Sequence, residues 1–189
     1  MMRPLHTGRA MHTKTRTRKA SSAALVTAVL LAGFMPGGQP VARAAEARID
    51  SIARDRMAIE ETLRRYVRAL DDSDLDAYLA TLTDDAKFVA AEGSYSGKDA
   101  IRKCVEPVMK SRLVRREKEG LAATVTHHVV TNQSFEFTDK DNVVVRAYWM
   151  FVVAHGAGKP NTIDIMGSSE DFLTRRGGKW LIRERRVAP

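Results

Sequence analysis

One stretch rich in β-branched and aromatic residues constrains the fold more than any other part of the chain. Residues 125–155 read VTHHVVTNQSFEFTDKDNVVVRAYWMFVVAH, with the turn-forming sequence Asp-Lys-Asp-Asn at 139–142. β-Branched and aromatic side chains pack well on a pleated sheet, whereas Asp and Asn favour turns. The stretch therefore predicts two long antiparallel strands, residues 125–137 and 143–155, joined by a tight turn.

The residues before this hairpin have the spacing of helices. Apolar side chains recur at intervals of three, four and seven across residues 50–70, which predicts one long amphipathic helix. Ser73 is placed to cap a short second helix that ends at residues 83–85. A third helix is predicted over residues 98–109, with Pro107 bending or shortening its end.

Strand signals dominate the rest of the chain. Besides the hairpin, strands are predicted over residues 87–91, 163–174 and 180–187. Helices first and antiparallel strands afterwards describe an α+β domain whose helices cover one face of the sheet.

The first 44 residues have the order of regions that is typical of a secretory signal peptide. Residues 1–19 are basic without an acidic residue, residues 23–34 form a short apolar run, and residues 42–44 (Ala-Arg-Ala) form a small-residue cleavage site. The apolar run is too short for a permanent membrane span. We therefore expect export, cleavage after Ala44, a secreted or periplasmic location and a mature single domain of residues 45–189.

The basic composition belongs mainly to this leader. The chain has 31 Lys or Arg and 23 Asp or Glu, but residues 1–44 hold seven of the basic residues and no acidic residue. The mature domain keeps 24 basic and 23 acidic residues, which removes the main support for nucleic-acid binding. Cys104 is the only cysteine, so no intramolecular disulfide can form and the core must hold the fold together.

Successive side chains of a strand point to opposite faces, and this alternation sorts the candidate site residues. In the first long strand His128 and Asn132 share one face, whereas His127 lies on the other unless a bulge intervenes. In the second long strand one face is apolar and ends in an imidazole, with Trp149, Phe151, Val153 and His155. Titratable residues of the third strand, such as Glu170, either line a pocket beneath the helices or face solvent, and alternation leaves both alternatives open.

Four short segments carry a resemblance to a known family. They are RRYVRALDDSDLDAYLATLTDDAKF at residues 64–88, YSGKDAI at 95–101, HVVTN at 128–132 and GGKWLIRERRV at 177–187. In this order they resemble the SnoaL-like branch of the nuclear transport factor 2 superfamily. The resemblance implies a cone, in which a curved antiparallel sheet wraps around N-terminal helices and leaves an open pocket, and it implies that a homodimer is a common state.

The resemblance also indicates site residues. Compared with scytalone dehydratase-type enzymes, His128 falls on the catalytic histidine and Asp71 on the aspartate of a catalytic Tyr-Asp pair. Leu70 replaces the tyrosine of that pair, and Tyr66, one turn earlier on the same helix face, is the available substitute. His155 lies near the second histidine of those enzymes.

Compared with ketosteroid isomerase, the match is less complete. Tyr66 matches the tyrosine of the oxyanion hole, but Ala90 stands where the general-base aspartate is expected, which argues against that chemistry. Glu170 falls near the acidic partner of the oxyanion hole, with Asp171 as the alternative.

These residues predict a cofactor-free dehydration or isomerisation next to a carbonyl. His128 would act as the general base and Asp71 would orient its ring. Tyr66 would hydrogen-bond the developing enolate oxygen, and His155 would give a proton to the leaving hydroxyl.

The predicted ligand is a hydrophobic small molecule, cyclic or polyketide-like. Trp149 and Phe151 would form its apolar wall, with Asn132 and Glu170 as further contacts. No cofactor, nucleic-acid or membrane partner is expected.

Two alternatives to a dehydratase or isomerase remain open. The first is a secreted binding module of the same fold without turnover, which export and the missing tyrosine at Leu70 favour. The second is a metal site formed by His127, His128, His155 and a carboxylate. Because neighbouring strand histidines diverge, the metal site is the weaker alternative.

Overall fold

The computed structural model describes residues 39–118, 126–155 and 158–189. Arg48–Pro189 form one unit by their internal contacts, and Met1–Ala47 form another, of which residues 39–47 are described. The predicted signal peptide therefore lies mostly outside the described residues, and its last residues, 39–44, are helical. Within the described ranges, no helix is long and apolar enough to cross a membrane.

Three helices precede most of the sheet. They are α1 (Gln39–Asp72), α2 (Leu75–Ala80) and α3 (Lys98–Lys118). Of the predicted apolar stripe, α1 buries Ile59, Leu63 and Tyr66, whereas Ile52 is exposed. Ala69, which was not part of the predicted stripe, is also buried.

The turn between α1 and α2 differs from the prediction that Ser73 caps the second helix. Ser73 instead adopts a left-handed conformation, with a φ of 59°, directly after the last residue of α1. The cap is Asp74, whose carboxylate accepts a hydrogen bond of 2.9 Å from the Ala77 N–H. An aspartate at this position satisfies a free N–H group and faces the positive end of the helix dipole.

Helix α3 extends further than predicted, because Pro107 does not end it. Proline removes one N–H group and thereby frees the carbonyl group four residues earlier. Pro107 lies on the exposed side of α3, whereas Val105 and Met109 are buried in the core on either side of it. Water can bond the freed carbonyl on that side, and the buried contacts at Val105 and Met109 keep the helix continuous past Pro107, so that it ends at Lys118.

Six strands form one sheet in the order β2-β1-β6-β5-β4-β3. They are β1 (Leu82–Ala90), β2 (Gly93–Ser96), β3 (Thr126–Phe137), β4 (Asn142–Val153), β5 (Thr162–Arg176) and β6 (Lys179–Ala188). All neighbouring strands are antiparallel except β1 and β6. The sheet is curved and unclosed, and its inner face shares the hydrophobic core with the helices, which confirms the predicted α+β class.

Strand β1 is the element that the sequence predicts least well. It begins at Leu82 rather than at residue 87, because Leu82 and Ala86 pack into the core. Asp84 and Asp85, which were expected to end a helix, lie exposed on this strand. β2, which the sequence does not predict as a strand, then pairs with β1.

A β-bulge interrupts strand β3. Thr131 pairs with Tyr148 and Ser134 pairs with Arg146, so β3 has one more residue than β4 between these two pairs. Asn132 lies in this bulge with a left-handed φ of 55°, a conformation that asparagine tolerates better than most residues. The alternation of side chains therefore reverses at this point.

Because of the bulge, the side chains of β3 that face the helices differ from those predicted. Before it, His128 and Val130 lie on the face that the helices cover. After it, Phe135 and Phe137 pack against the core from the same face. Asn132 was expected to share the face of His128, but it lines a groove on the opposite, outer face.

Polar contacts around Trp180 hold the middle of α1 against the sheet. Arg175 on β5 pairs with Asp55 on α1 at 2.5 Å, and its guanidinium lies 4.7 Å from the centre of the Trp180 ring. Thr62 Oγ1 donates a hydrogen bond of 2.9 Å to the Trp180 carbonyl. The C-terminal end of α1, at Asp71, lies about 24 Å further along the helix axis from Asp55.

Gly167 on β5 leaves room for the C-terminal residues. A Cβ atom at this position would lie 2.0 Å from the carbonyl oxygen of Ala188 and 2.8 Å from Cα of Pro189. We expect Gly167→Ala to lower the free energy of unfolding by about 1–3 kcal/mol, because the end of the chain must move. Urea unfolding of the variant and the parent protein measures this loss.

Deletion of Ala188 and Pro189 provides the control for this prediction. In the shortened chain Gly167→Ala should cost little, because the atoms that a Cβ would meet are gone. An equal loss of stability in the full and the shortened chain would contradict the steric explanation.

Candidate functional site

The centre of the site is a hydrogen-bonded pair, Asp71 and His128. Asp71 Oδ1 lies 2.5 Å from His128 Nδ1. The backbone N–H of His128 also donates to both carboxylate oxygens, at 3.2 and 3.0 Å. The side chains of His128 and Asp71 are 16% and 13% exposed, so little water reaches the pair. A carboxylate that holds both the ring and the main chain of one histidine fixes the orientation of that ring.

Two elements that are distant in sequence bring this pair together. Asp71 lies in the last turn of α1, and His128 lies near the start of β3. Phe151 on β4 is opposite His128 in the strand pairing, and its ring centre lies 4.9 Å from that of the imidazole. His127 is exposed, as strand alternation predicts.

His128 lines two cavities on the inner face of the sheet. The larger has a volume of about 280 Å³ and is lined by Glu60, Leu63, Arg64, Val67, His128, Val130, Gln133, Asp171 and Arg185. The smaller, of about 120 Å³, is more apolar and is lined by Tyr66, Val67, Leu70, Phe88, His128, Val130, Trp149, Arg185 and Val187. The two linings share Val67, His128, Val130 and Arg185.

A buried ion pair places a positive charge at the wall of both cavities. Arg185 Nη1 on β6 lies 2.5 Å from Asp171 Oδ1 on β5, and both side chains are almost fully buried. Burial raises the pKa of Asp171, and the charge of Arg185 opposes this rise. Burial also disfavours the charged form of Arg185, but Asp171 together with the Tyr66 and Tyr78 oxygens outweighs this effect and raises the pKa of the guanidinium. Arg185 therefore remains a cation beside His128.

Tyr66 lies beneath this cation. Its ring centre is 4.8 Å from the Arg185 guanidinium, and its hydroxyl lies 3.1 Å from the hydroxyl of Tyr78. Burial raises the pKa of both phenols, so both hydroxyls stay protonated near neutral pH. One hydroxyl donates to the other, which leaves one phenolic proton for a different acceptor.

The predicted ligand contacts divide between the two faces of the sheet. Trp149 lines the smaller inner cavity, and its Nε1–H donates a hydrogen bond of 3.0 Å to the Ser168 carbonyl. Asn132 and Glu170 lie instead along the outer groove, a separate space of about 630 Å³. Because β5 alternates regularly here, Asp171, the alternative to Glu170, takes the inner position.

His155 is separated from the Asp71–His128 pair. Its Nε2 lies 2.9 Å from Thr162 Oγ1, which in turn donates a hydrogen bond of 2.6 Å to Asp164. His155 lies four positions after Phe151, the residue opposite His128, and four steps of extended chain correspond to about 13 Å. The structure thus does not bring His155 into contact with the pair.

The histidines of the metal alternative do not converge. His127 and His128 point to opposite faces of β3, and His155 lies beyond the end of β4. Among the described residues, no group of three or more His, Cys, Asp or Glu side chains is placed to hold a metal ion.

Arg185 is the site residue that sequence reasoning missed. Strand β6 contains one extra residue, Arg183, between positions that pair with successive residues of β5. Alternation from the buried Ile182 would place Glu184 inside, whereas the bulge places Arg185 there. The run Arg-Glu-Arg-Arg at 183–186 contains no signal for a bulge, so only the structure identifies the buried cation.

Helices laid inside a curved, unclosed sheet, with an inner cavity between them, define a cone-shaped α+β domain. Residues 51–186 match the model of the SnoaL-like domain family, and the chain belongs to this family. The predicted resemblance is thereby confirmed. A search of curated proteins finds no match.

Solved structures with the same fold come from several bacteria. A candidate scytalone dehydratase from Novosphingobium aromaticivorans is 21% identical, with 74% of this chain and 86% of that chain covered and a TM-score of 0.58. A hexachlorocyclohexane dehydrochlorinase from Novosphingobium barchaimii is 19% identical, with coverage of 73% and 88% and a TM-score of 0.58. A protein of unknown function from Mycobacterium tuberculosis is 21% identical, with 74% of each chain covered and a TM-score of 0.60. At these identities the likeness shows the fold alone.

The Asp171–Arg185 pair yields a prediction about stability and pH. In Arg185→Met the buried Asp171 loses its partner, and we expect the free energy of unfolding at about pH 7 to fall by about 3–5 kcal/mol. Because burial raises the pKa of Asp171 in the folded protein above its unfolded value, the loss grows as the pH rises through the folded pKa. The loss should therefore be smaller at about pH 5 than at about pH 7, because a larger fraction of the carboxyl is protonated at the lower pH.

Urea unfolding of parent and variant at both pH values measures this difference. The matched control is Arg185→Met combined with Asp171→Asn, in which the buried group can no longer ionise. The difference between the two pH values should disappear in this double variant. An equal loss at both pH values in the single variant would show that the ionisation of Asp171 is not the cause.

Proposed function

We propose that this domain catalyses a cofactor-free elimination or isomerisation next to a carbonyl, with His128 as the general base. The observation that supports this most is the Asp71–His128 hydrogen bond of 2.5 Å at the wall of an inner cavity. Two proteins of the same fold are named for eliminations, a candidate dehydratase and a dehydrochlorinase. Their names agree with the proposal, although the likeness itself extends only to the fold.

The hydrogen bond decides which nitrogen of His128 can act as the base. An ionised Asp71 can only accept hydrogen bonds, so the ring proton lies on Nδ1 and the lone pair lies on Nε2. In the proposed reaction Nε2 takes the proton from the carbon next to the carbonyl, and the electrons of that C–H bond form an enolate. Asp71 stabilises the imidazolium that results.

The enolate oxygen requires a positive partner, and Arg185 is the best placed group. Its charge is held at the wall of both cavities that His128 lines. Tyr66 remains a second donor, because its phenol stays protonated, but its hydroxyl is already engaged with Tyr78. We therefore assign the main stabilisation of the oxyanion to Arg185 and a supporting part to Tyr66.

The proton for a leaving hydroxyl is assigned to His128 rather than to His155. His155 is hydrogen-bonded to Thr162 and is separated from the pair by about 13 Å of strand. The His128 imidazolium, which has just taken a proton, can return it to the hydroxyl on the next carbon. The C–O bond then breaks, water leaves and the enolate electrons form the new double bond, so one group serves both proton transfers.

The cavities favour a small and mainly apolar substrate with one oxygen function. Their volumes, about 280 and 120 Å³, lie at or below the lower end of the range for drug-sized ligands. Leu63, Val67, Val130 and Trp149 supply apolar walls, whereas Arg185 supplies the charge. A single ring with a carbonyl and a neighbouring hydroxyl fits these properties better than an extended polyketide chain.

Substitution of His128 tests the proposal. With 3-hydroxycyclohexanone as a probe, we expect the protein to release the conjugated enone, followed by its ultraviolet absorbance, and to exchange the α-proton in heavy water. His128→Gln should lower both rates by about 100-fold or more, because the base is gone. His127→Gln is the matched control, because this neighbour is exposed on the other face and should leave both rates unchanged.

The same experiment separates the enzyme from a binding module. A protein that retains a ligand during purification, identified by mass spectrometry, but shows no proton exchange in any variant would be a binder without turnover. Rates that stay the same in His128→Gln and the parent protein would remove His128 from the mechanism.

We also propose that the chain is exported, which rests on the order of basic, apolar and small residues in 1–44. Expression of the full chain in a bacterial host should give a mature protein that begins at Ala45, as N-terminal sequencing will show. Ala44→Lys should block cleavage and leave the longer chain. Recovery of uncleaved parent protein in the cytoplasm alone would contradict the proposal. The homodimer expected from the family resemblance stays a prediction.

A further inference from the structure

We propose that Arg112, on helix α3, is a positioning residue that controls the orientation and the charge state of the Asp71–His128 pair. The inference rests on the proposed function, but it can be tested without turnover. Arg112 touches neither cavity lining of the pair, and it acts through contacts behind Asp71 and behind His128.

The first contact is at the end of helix α1. Arg112 Nη1 donates a hydrogen bond of 3.2 Å to the carbonyl of Leu70, the residue before Asp71. Carbonyl groups in the last turn of a helix lack partners within the helix and carry the negative end of its dipole. α1 has no basic residue in its own last turn, so a guanidinium from α3 supplies the charge that usually comes from the helix itself.

The second contact is behind the imidazole. The Arg112 guanidinium lies 5.2 Å from the centre of the Phe151 ring, within the range of a cation–π contact. Phe151 in turn packs against the ring of His128. One side chain thus braces the helix end that carries Asp71 and the aromatic ring that supports His128.

Its burial distinguishes Arg112 from the basic residues in the last turn of α3. Arg112 is half-buried, whereas Arg115, Arg116 and Lys118 at the same end of the helix are exposed. Burial lowers the pKa of Arg112 and the carboxylate of Asp71 opposes this change, so the two charges act on each other. This charge is therefore screened by solvent less than its neighbours are.

The charge of Arg112 affects how readily His128 keeps its second proton. A cation near Asp71 offsets part of the negative charge that would otherwise stabilise the imidazolium. Removal of the Arg112 charge should let His128 keep its second proton to higher pH, which reduces the fraction of free base near neutral pH. The remaining charged groups that line the larger cavity with His128 are unchanged by this substitution, namely Glu60, Arg64, Asp171 and Arg185.

The experiment compares three substitutions with a control on the same helix. Arg112→Met removes the charge and the donor, Arg112→Gln keeps a donor for the Leu70 carbonyl, and Arg112→Lys keeps the charge. Arg116→Met removes an exposed charge and is the matched control.

The first readout is the pH titration of the His128 ring protons by nuclear magnetic resonance in the substrate-free protein. The second is the acidic limb of the kcat/KM profile with 3-hydroxycyclohexanone.

We expect the His128 titration to move up by about 0.5–1 pH unit in Arg112→Met and Arg112→Gln, with the acidic limb of kcat/KM moving in the same direction. Arg112→Lys and Arg116→Met should leave the titration in place. If Arg112→Met does not fold, Arg112→Gln answers the same question. A His128 titration that coincides with that of the parent protein in Arg112→Gln would overturn the proposal.

The two proposals fail in different ways. Absence of turnover in every variant, including the parent protein, would reject the proposed function with this probe and would leave the titration to decide the role of Arg112. An upward shift in Arg116→Met as large as in Arg112→Gln would show a general charge effect and would reject a specific role for Arg112.

Discussion

The contact between Asp71 and His128 joins two positions that are 57 residues apart, and the inner cavities depend on it. Asp71 holds the ring and the main chain of His128 at once, so the end of α1 cannot move without breaking both contacts. Asp55 and Thr62 hold the middle of the same helix to Arg175 and Trp180. Helix α1 is therefore fixed to the sheet at two places, and the cavities lie along the part of the helix between them and at its end.

Polar groups in such an interior are costly unless each has a partner. Asp171 is paired with Arg185, Tyr66 with Tyr78, and Asp71 with His128. Under the proposed function, the lone pair on Nε2 of His128 is the basic group that this pairing leaves for a substrate. The surrounding pairs make the environment of that nitrogen rigid, which is what a general base requires of its support.

The long amphipathic helix and the position of His128 follow from simple periodicity, because the helix repeats regularly and β3 alternates without interruption from His127 to Thr131. The hairpin itself follows from its β-branched and aromatic residues and its turn sequence. The link between His128 and Asp71 came from the family resemblance, since periodicity cannot relate residues so far apart. Alternation predicted the wrong face for the residues that follow a bulge, as at Asn132 in β3 and Arg183 in β6. The extra residue of a bulge exchanges the two faces of the strand. The prediction that Pro107 bends or shortens the end of α3 is also wrong, because tertiary contacts outweigh the tendency of proline to end a helix.

The bulge at Asn132 has a consequence for how this family can vary. Because the left-handed residue separates two halves of β3 with opposite alternation, the half with His128 and the half with Phe135 both face the helices. Loss of one residue here would turn either the imidazole or the aromatic side chains outward, whatever their identity. The length of this strand is therefore under stronger constraint than its composition, and related domains should tolerate exchanges along β3 more readily than insertions or deletions within it.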